Sequence, residues 1–217
     1  MKKHTLLNAS ILAFTLVLSG CQTAYYSAME KVGVHKRDIL IDRVEETKEA
    51  QQESQEEFQS ALERLTTLIN FDGGELQDAY EQLNNDYESS LKAADDVTSN
   101  INKVEDVAQA LFSEWSDELE QYSNTTLKRE SGKKLTETQR QFNKLLSSMR
   151  SAESKMEPVL SSLKDNVLYL KHNLNAQAVT AIKGEFTSLK RDIQLLMNDM
   201  NKSIEDSNQF IEQMNKA

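Results

Sequence analysis

The sequence predicts an all-α fold: an elongated antiparallel up-down-up-down helical bundle, coiled-coil in character. Three observations carry this. Apolar side chains recur in alternating steps of four and three residues over four long stretches, the pattern of helices that pack side by side. The 217 residues include only 1 Pro and 6 Gly, too few for the many turns of a β-sandwich or barrel. Clusters of capping and turn residues separate the stretches. Hydrophobic residues make up 38% and aromatics 6%, which argues against a large globular core. Mean hydropathy is −0.61, a value that would suit disorder, but the periodicity decides for helix. A slender shape has much surface per residue and accounts for the low apolar share.

Residues 1–20 read as a secretory leader. Lys2 and Lys3 form a positive start, and Leu6–Leu18 is apolar apart from Asn8, Ser10 and Thr15. That stretch is too short to span a bilayer. It closes on Leu18-Ser19-Gly20-Cys21, which resembles the lipobox of bacterial lipoproteins. There the thiol is diacylated (palmitate-type chains), the peptide is cut between Gly20 and Cys21, and the new amine is acylated. Cys21 is the chain's 1 Cys, so an internal disulfide is excluded. One acyl chain binds a membrane only reversibly, whereas several anchor it firmly. Loss of Lys2 and Lys3 leaves 23 basic against 35 acidic residues, a net charge of −12. Such a chain repels an anionic bilayer, so the lipid has to do the anchoring. Gln22, where enterobacterial inner-membrane lipoproteins carry Asp, points to the outer membrane. Residues 21–36 are then a lipid-anchored N-terminal segment, and residues 37–217 the bundle. Tyr25 and Tyr26 suit a membrane interface, and His35-Lys36-Arg37 forms a basic spot beside it.

Four seams follow. The first runs Ile41, Val44, Lys48, Gln51, Gln55, Phe58, Leu62, Leu65, Ile69. Upstream, Tyr25, Met29, Val32 and Lys36 lie on another phase with Gly33 at the junction, which predicts a bend or break there. The second runs from Leu76 through Tyr80, Leu83, Tyr87, Ser90, Ala94, Val97, Ile101, Val104, Ala108, Leu111, Trp115 and Glu118 to Tyr122. The third runs Leu135, Thr138, Phe142, Leu145, Met149, Ala152, Met156, Val159, Leu163, Asn166, Leu170. The fourth runs Val179, Ile182, Phe186, Leu189, Ile193, Leu196, Met200, Ser203, Ser207, Phe210, Met214. The breaks are chemically legible. Asp72, after Phe71, has Glu75 three residues on, as in a capping box. Ser123–Thr126 and Asn173–Asn175 are rich in N-cap residues. Helices over 75–122 and 127–173 would each rise about 70 Å, and short connections make neighbours antiparallel.

Two irregularities stand out. Pro158 lies inside the third seam, where it removes a bond to the Ser154 carbonyl and predicts a kink rather than a restart, because the seam keeps its phase. Lys48, Gln51 and Gln55 interrupt the first seam. A register-fixing polar layer is the plain reading; an internal binding or switching layer is the functional one.

Candidate chemistry is thin. The net charge of −10 makes nucleic acid a poor partner. No Glu-x-x-His or His-Glu-x-x-His occurs, which excludes the common di-iron and zinc helical sites in their usual form. The Asp-Gly-Gly run at 72–74 lacks the Asp spacing of a calcium loop and the Lys of a P-loop. Carboxylate clusters read as solvated faces. No catalytic residue, metal site or cofactor is expected. Phe71, Asp72, Lys171 and His172, at the tips far from the anchor, are candidate partner contacts.

Three runs are specific: Cys21 to Asp38, Asn70 to Gly74, and Leu168 to Asn175. With them the mature chain resembles the bacterial family catalogued as domain of unknown function 2959. The resemblance implies a helical envelope protein and supplies no activity. The expected function is a periplasm-facing lipoprotein that spaces or docks envelope proteins, either as one chain or as a homo-oligomer. The alternative is a holdase or small-ligand carrier that uses the bundle interior.

Overall fold

A computed structural model describes Met29 and residues 33–70 and 76–216. Four helices account for almost all of them: α1 Lys36–Ile69, α2 Leu76–Leu119, α3 Thr125–His172 and α4 Ala176–Lys216. Each packs on its chain neighbours, and α1 closes the ring against α4. This is an up-down-up-down bundle. Among the described residues there is no strand.

The caps form as the sequence predicts. Asn124 Oδ1 accepts from the Thr126 and Leu127 amides at 2.9 and 3.1 Å and starts α3. Asn175 Oδ1 does the same for Gln177 and Ala178 at 2.9 and 3.2 Å at the head of α4. Both satisfy amides that have no partner within their helix. The break near Gly33 is also present. Gly33 has φ +84, a conformation glycine adopts without steric cost. The Val34 amide donates to the Met29 carbonyl at 3.0 Å, the six-residue closure that ends a helical turn. Helix α1 therefore starts afresh at Lys36. With 34 residues, α1 is shorter than α2 and α3, which have 44 and 48. The Asp72–Glu75 capping box falls on residues 71–75, outside the described residues.

The third seam is buried at every position, and the fourth from Ile182 onward except half-buried Phe186. The second is buried at Leu83 and then without interruption for Ser90, Ala94, Val97, Ile101, Val104 and Ala108. Tyr80, Tyr87 and Leu111 flank this core, half-buried. Its far end is a correction. Helix α2 stops at Leu119, so Tyr122 lies beyond it at 41% exposure, and Glu118 faces solvent.

The first seam is corrected by one residue at every second position. Val44, Gln51, Phe58 and Leu65 point inward as expected, but their inner partners are Leu40, Thr47, Ala61, Leu68 and, in the middle, Ser54. Ile41, Lys48, Gln55 and Ile69 are half-buried flanks, and only Leu62 of that line is itself buried. Residues 40 and 41 sit about 100° apart on a helix of 3.6 residues per turn. Small and polar residues, Thr47, Gln51, Ser54 and Ala61, interrupt the true inner line in its middle, and the apolar Ile41 and Ile69 are edge packing.

Pro158 is exposed within an unbroken α3. It faces solvent and Ser154 is exposed too, so the carbonyl it releases is open to water. Side-chain clamps fix the register between helices. Arg64 reaches Asp86 at 3.1 Å and Gln82 at 2.6 Å across α1–α2. Arg150 reaches Asn102 at 2.8 Å and Glu105 at 2.7 Å across α2–α3. Its guanidinium is partly desolvated, but the bonds to Glu105 and Glu153 outweigh this and raise its pKa. Lys155 and Ser151 both reach Asp199 across α3–α4, at 2.7 and 3.0 Å.

Candidate functional site

The feature that ordinary packing does not account for lies midway along the bundle. Cross-helix bonds set the levels. Lys48 Nζ meets Asn208 Oδ1 at 3.3 Å and Gln55 Nε2 meets Asn201 Oδ1 at 3.0 Å, so Gln51 sits level with Ser203 and Ser207 of α4. Lys144 Nζ meets Asp206 Oδ1 at 2.7 Å and Ser151 Oγ meets Asp199 at 3.0 Å, so Ser148 of α3 joins the same level. The result is a polar layer of Thr47, Gln51 and Ser54 on α1, Ser148 on α3, and Ser203, Asp206 and Ser207 on α4, all buried. Thr47 and Ser207 satisfy themselves by donating to carbonyls four residues back, at 2.7 and 2.8 Å. The others do not. Among the described residues, Gln51 Nε2 and Oε1, Ser54 Oγ, Ser148 Oγ, Ser203 Oγ and Asp206 Oδ2 have no hydrogen-bond partner. Orphaned buried polar atoms are rare in native cores and are ordinarily met by ordered water or a ligand, so this layer is the bundle's candidate site.

The layer expected from the sequence is Lys48, Gln51 and Gln55, of which only Gln51 belongs to it; Ser203 and Ser207 are expected as inward positions of the fourth seam and not as part of the layer. Lys48 instead pairs with Glu45 at the edge, and Gln55 bonds outward to Met197 and Asn201. Sequence reasoning missed Thr47, Ser54, Ser148 and Asp206. The available signal for Asp206 was its place directly beside the inward Ser203 and Ser207.

At the end where α1 begins, Lys36 departs from the expected membrane-facing spot. It is buried and pairs with Glu114 of α2 at 2.9 Å. The buried start of α1 carries it inward, and a buried ammonium needs a counter-charge. His35 remains exposed at the N-cap, its amide donating to Asp38 at 3.4 Å. Arg37 lines a groove of about 250 Å³ with Leu111, Glu114, Trp115, Lys134 and Met214. Trp115 is half-buried, and its indole N–H donates to Ser131 Oγ at 2.8 Å. Phe142 stacks edge-on against Phe112 and Phe210, centroids 5.5 and 6.1 Å away. Gly20, Cys21, Tyr25 and Tyr26 lie outside the described residues.

At the opposite end, Lys171 and His172 are exposed in the last turn of α3, where positive charge complements the helix dipole. Phe71 and Asp72 lie outside the described residues. Nearby, α3 and α4 enclose a groove of about 420 Å³, with Tyr169, Ile182 and Leu189 as its apolar part and Asp165, Glu185 and Asp192 as its acidic rim. Among the described residues no three His, Cys, Asp or Glu side chains converge as a metal-ligand group. No described helix is long and apolar enough to cross a membrane.

Residues 25–214 match the family described as protein of unknown function (DUF2959). The chain belongs to that family. The match covers the whole polar layer and all four helices but for the last two residues of α4. No curated protein and no solved structure matches the chain.

Proposed function

We propose that this chain is a lipid-anchored envelope protein facing the periplasm, with its bundle acting as a scaffold or adaptor for other envelope proteins. The observation that carries the reading is the joining of two parts. Cys21, the chain's 1 Cys, closes a leader of lipoprotein pattern. Gly33 then joins this segment to one end of a long, register-clamped bundle. A tether at one end and a rigid body beyond it suit spacing and docking. Acylation at Cys21 supplies the membrane contact, Gln22 favours the outer membrane, and the tips carrying Phe71, Asp72, Lys171 and His172 meet the partner. The reading assigns no catalysis and no cofactor.

Metabolic labelling with a palmitate analogue tests the tether. The wild type takes up label and fractionates with outer membrane; Cys21→Ser takes up none and is released. In-cell photocrosslinking from positions 71 and 172 tests docking and yields a discrete envelope protein at one tip. Absence of any specific adduct at both tips removes the scaffold reading while leaving the tether intact.

The orphaned polar atoms favour a second reading, in which the bundle interior takes up a small ligand or client segment. Purified protein then binds an environment-sensitive dye or an unfolded client, and Gln51→Leu weakens that binding. No binding by the wild type removes it.

A further inference from the structure

We propose that the groove between α3 and α4, at the end away from Gly33, is a binding site for a small organic cation: an ammonium or guanidinium carried on an apolar body. It is independent of the scaffold reading and lies apart from the polar layer. Asp192, which lines the groove, and Ser203, which belongs to the layer, stand about 16 Å apart along α4.

The groove joins an apolar floor to a rim of hydrogen-bond acceptors. Tyr169, Ile182 and Leu189 make the floor, and the volume of about 420 Å³ falls in the range of small-molecule sites. At the rim, Asp165 and Glu185 are exposed, and among the described residues neither has an ion-pair or hydrogen-bond partner. Asp192 is met by the neighbouring Arg191 at 3.3 Å, an exposed pair, and Arg191 also reaches Ser188 Oγ at 3.1 Å. Asn166 lines the groove and is only 8% exposed. Its Nδ2 donates to the Ser162 carbonyl at 2.7 Å, and its Oδ1 takes no hydrogen bond among the described residues. An amide this buried, bonded on one side alone, calls for a donor on the other. A cation with N–H groups supplies donors to Asn166 and the carboxylates, and its apolar body covers the floor. The Tyr169 ring, 43% exposed, adds an aromatic face that attracts positive charge.

Charge selects the occupant. No Lys, Arg or His lines this groove, whereas three other grooves between the helices each include at least two Lys or Arg. Lys164 and Lys171 of α3 and Lys183 and Lys190 of α4 stand on the same turns and are exposed. At 3.6 residues per turn they fall roughly 150° or more round their helices from the groove-lining positions. The width of a helix, about 10 Å, then separates them from the rim, which is about a Debye length at physiological salt. His172 lies beyond the last lining residue of α3, Tyr169. Arg191 is thus the one base at the rim, set against three carboxylates, and an exposed pair such as Arg191–Asp192 gives way readily to another cation. Size separates a small ligand from a protein. Three apolar side chains floor the groove, whereas a stable protein interface buries about 800 Å² per partner.

The test uses the purified full-length protein in non-ionic detergent, with detergent alone as the blank. Its probes share one environment-sensitive fluorophore and differ in charge: dansylcadaverine is a cation, dansylamide is neutral and dansylglycine is an anion. Dansylcadaverine binds with blue-shifted emission and about tenfold more tightly than dansylamide. Dansylglycine binds more weakly than either, and added salt narrows the differences. Asp165→Asn with Glu185→Gln brings dansylcadaverine down to the affinity of dansylamide. Asp95→Asn with Asp96→Asn, which removes the same charge from an exposed stretch of α2, leaves it unchanged. Tyr169→Ala weakens both probes alike. Equal affinity for the cationic and neutral probes, or equal losses in the two double variants, means that the groove selects no charge and overturns the proposal. Loss of binding in Gln51→Leu, with Asp165→Asn and Glu185→Gln unaffected, assigns the probe to the polar layer and overturns it too. So does the absence of binding by any probe to a wild-type protein that circular dichroism shows to be helical.

Discussion

Gln51 is fully buried, and neither atom of its amide is bonded. An unpaired buried polar group costs about 1–3 kcal/mol, so the side chain works against the bundle it sits in. Gln51→Leu keeps most of the volume and removes the polarity. We expect it to raise stability by about 1–3 kcal/mol, read as a higher urea midpoint by circular dichroism. A fall instead means that the layer is satisfied by ordered water. Asp199 presents the opposite case. The Lys155 ammonium bonded to it holds its carboxyl below the ordinary value of 3.8, against the opposing effect of burial, and Ser151 adds to the lowering. A depressed folded value means that the contribution is complete above the unfolded value and is lost as pH falls through the folded one. Titrating from neutrality to below pH 3.8 therefore costs the wild type more stability than it costs Asp199→Asn. Parallel curves for the two proteins would show that Lys155 contributes nothing there.

At the scale of the helix, Pro158 is the oddity. It sits on the solvent face of a continuous α3, so Pro158→Ala restores a backbone bond to Ser154 without disturbing the core. Stability should rise by up to about 3 kcal/mol. Asn124→Ala removes a cap that serves two amides and should lower it by about 0.5–2 kcal/mol. Thermal melts of the two variants on either side of the wild type check both. The same helices explain what the sequence disclosed. The seam of α3 was legible throughout because large apolar residues such as Phe142, Leu145 and Leu163 hold most inner positions and leave the phase unambiguous. The seam of α1 was not, because Thr47, Ser54 and Ala61 carry little hydrophobic signal and Ile41 and Ile69 beside them carry more. The polar layer was half legible for the same reason. Gln51 announced itself on an inner line, whereas Ser148 and Asp206 belong to the layer only through cross-helix levels that no single periodicity contains.

For the whole molecule, α3 with its 48 residues sets a long axis of about 70 Å. Small-angle scattering should report a longest dimension at or above that value, and a near-spherical envelope would refute the bundle. The change of apolar phase at Gly33 places the start of α1 but not its level against α2; α2 continues past Glu114 to Leu119, and the Lys36–Glu114 pair fixes the level. Gly33 has one more consequence, a mechanical one. A load applied through the residues before Gly33 enters the bundle at its α1 end. The first described contacts to bear it are the packing of Met29 and Val34 on the core and the Lys36–Glu114 pair, then one turn of α1 after another. Peeling loads the contacts in sequence and yields at a lower force than sliding, which loads them all together. Tension along the N-terminal segment would therefore strip α1 away first, and the core facing it would open from that end towards the layer around Gln51.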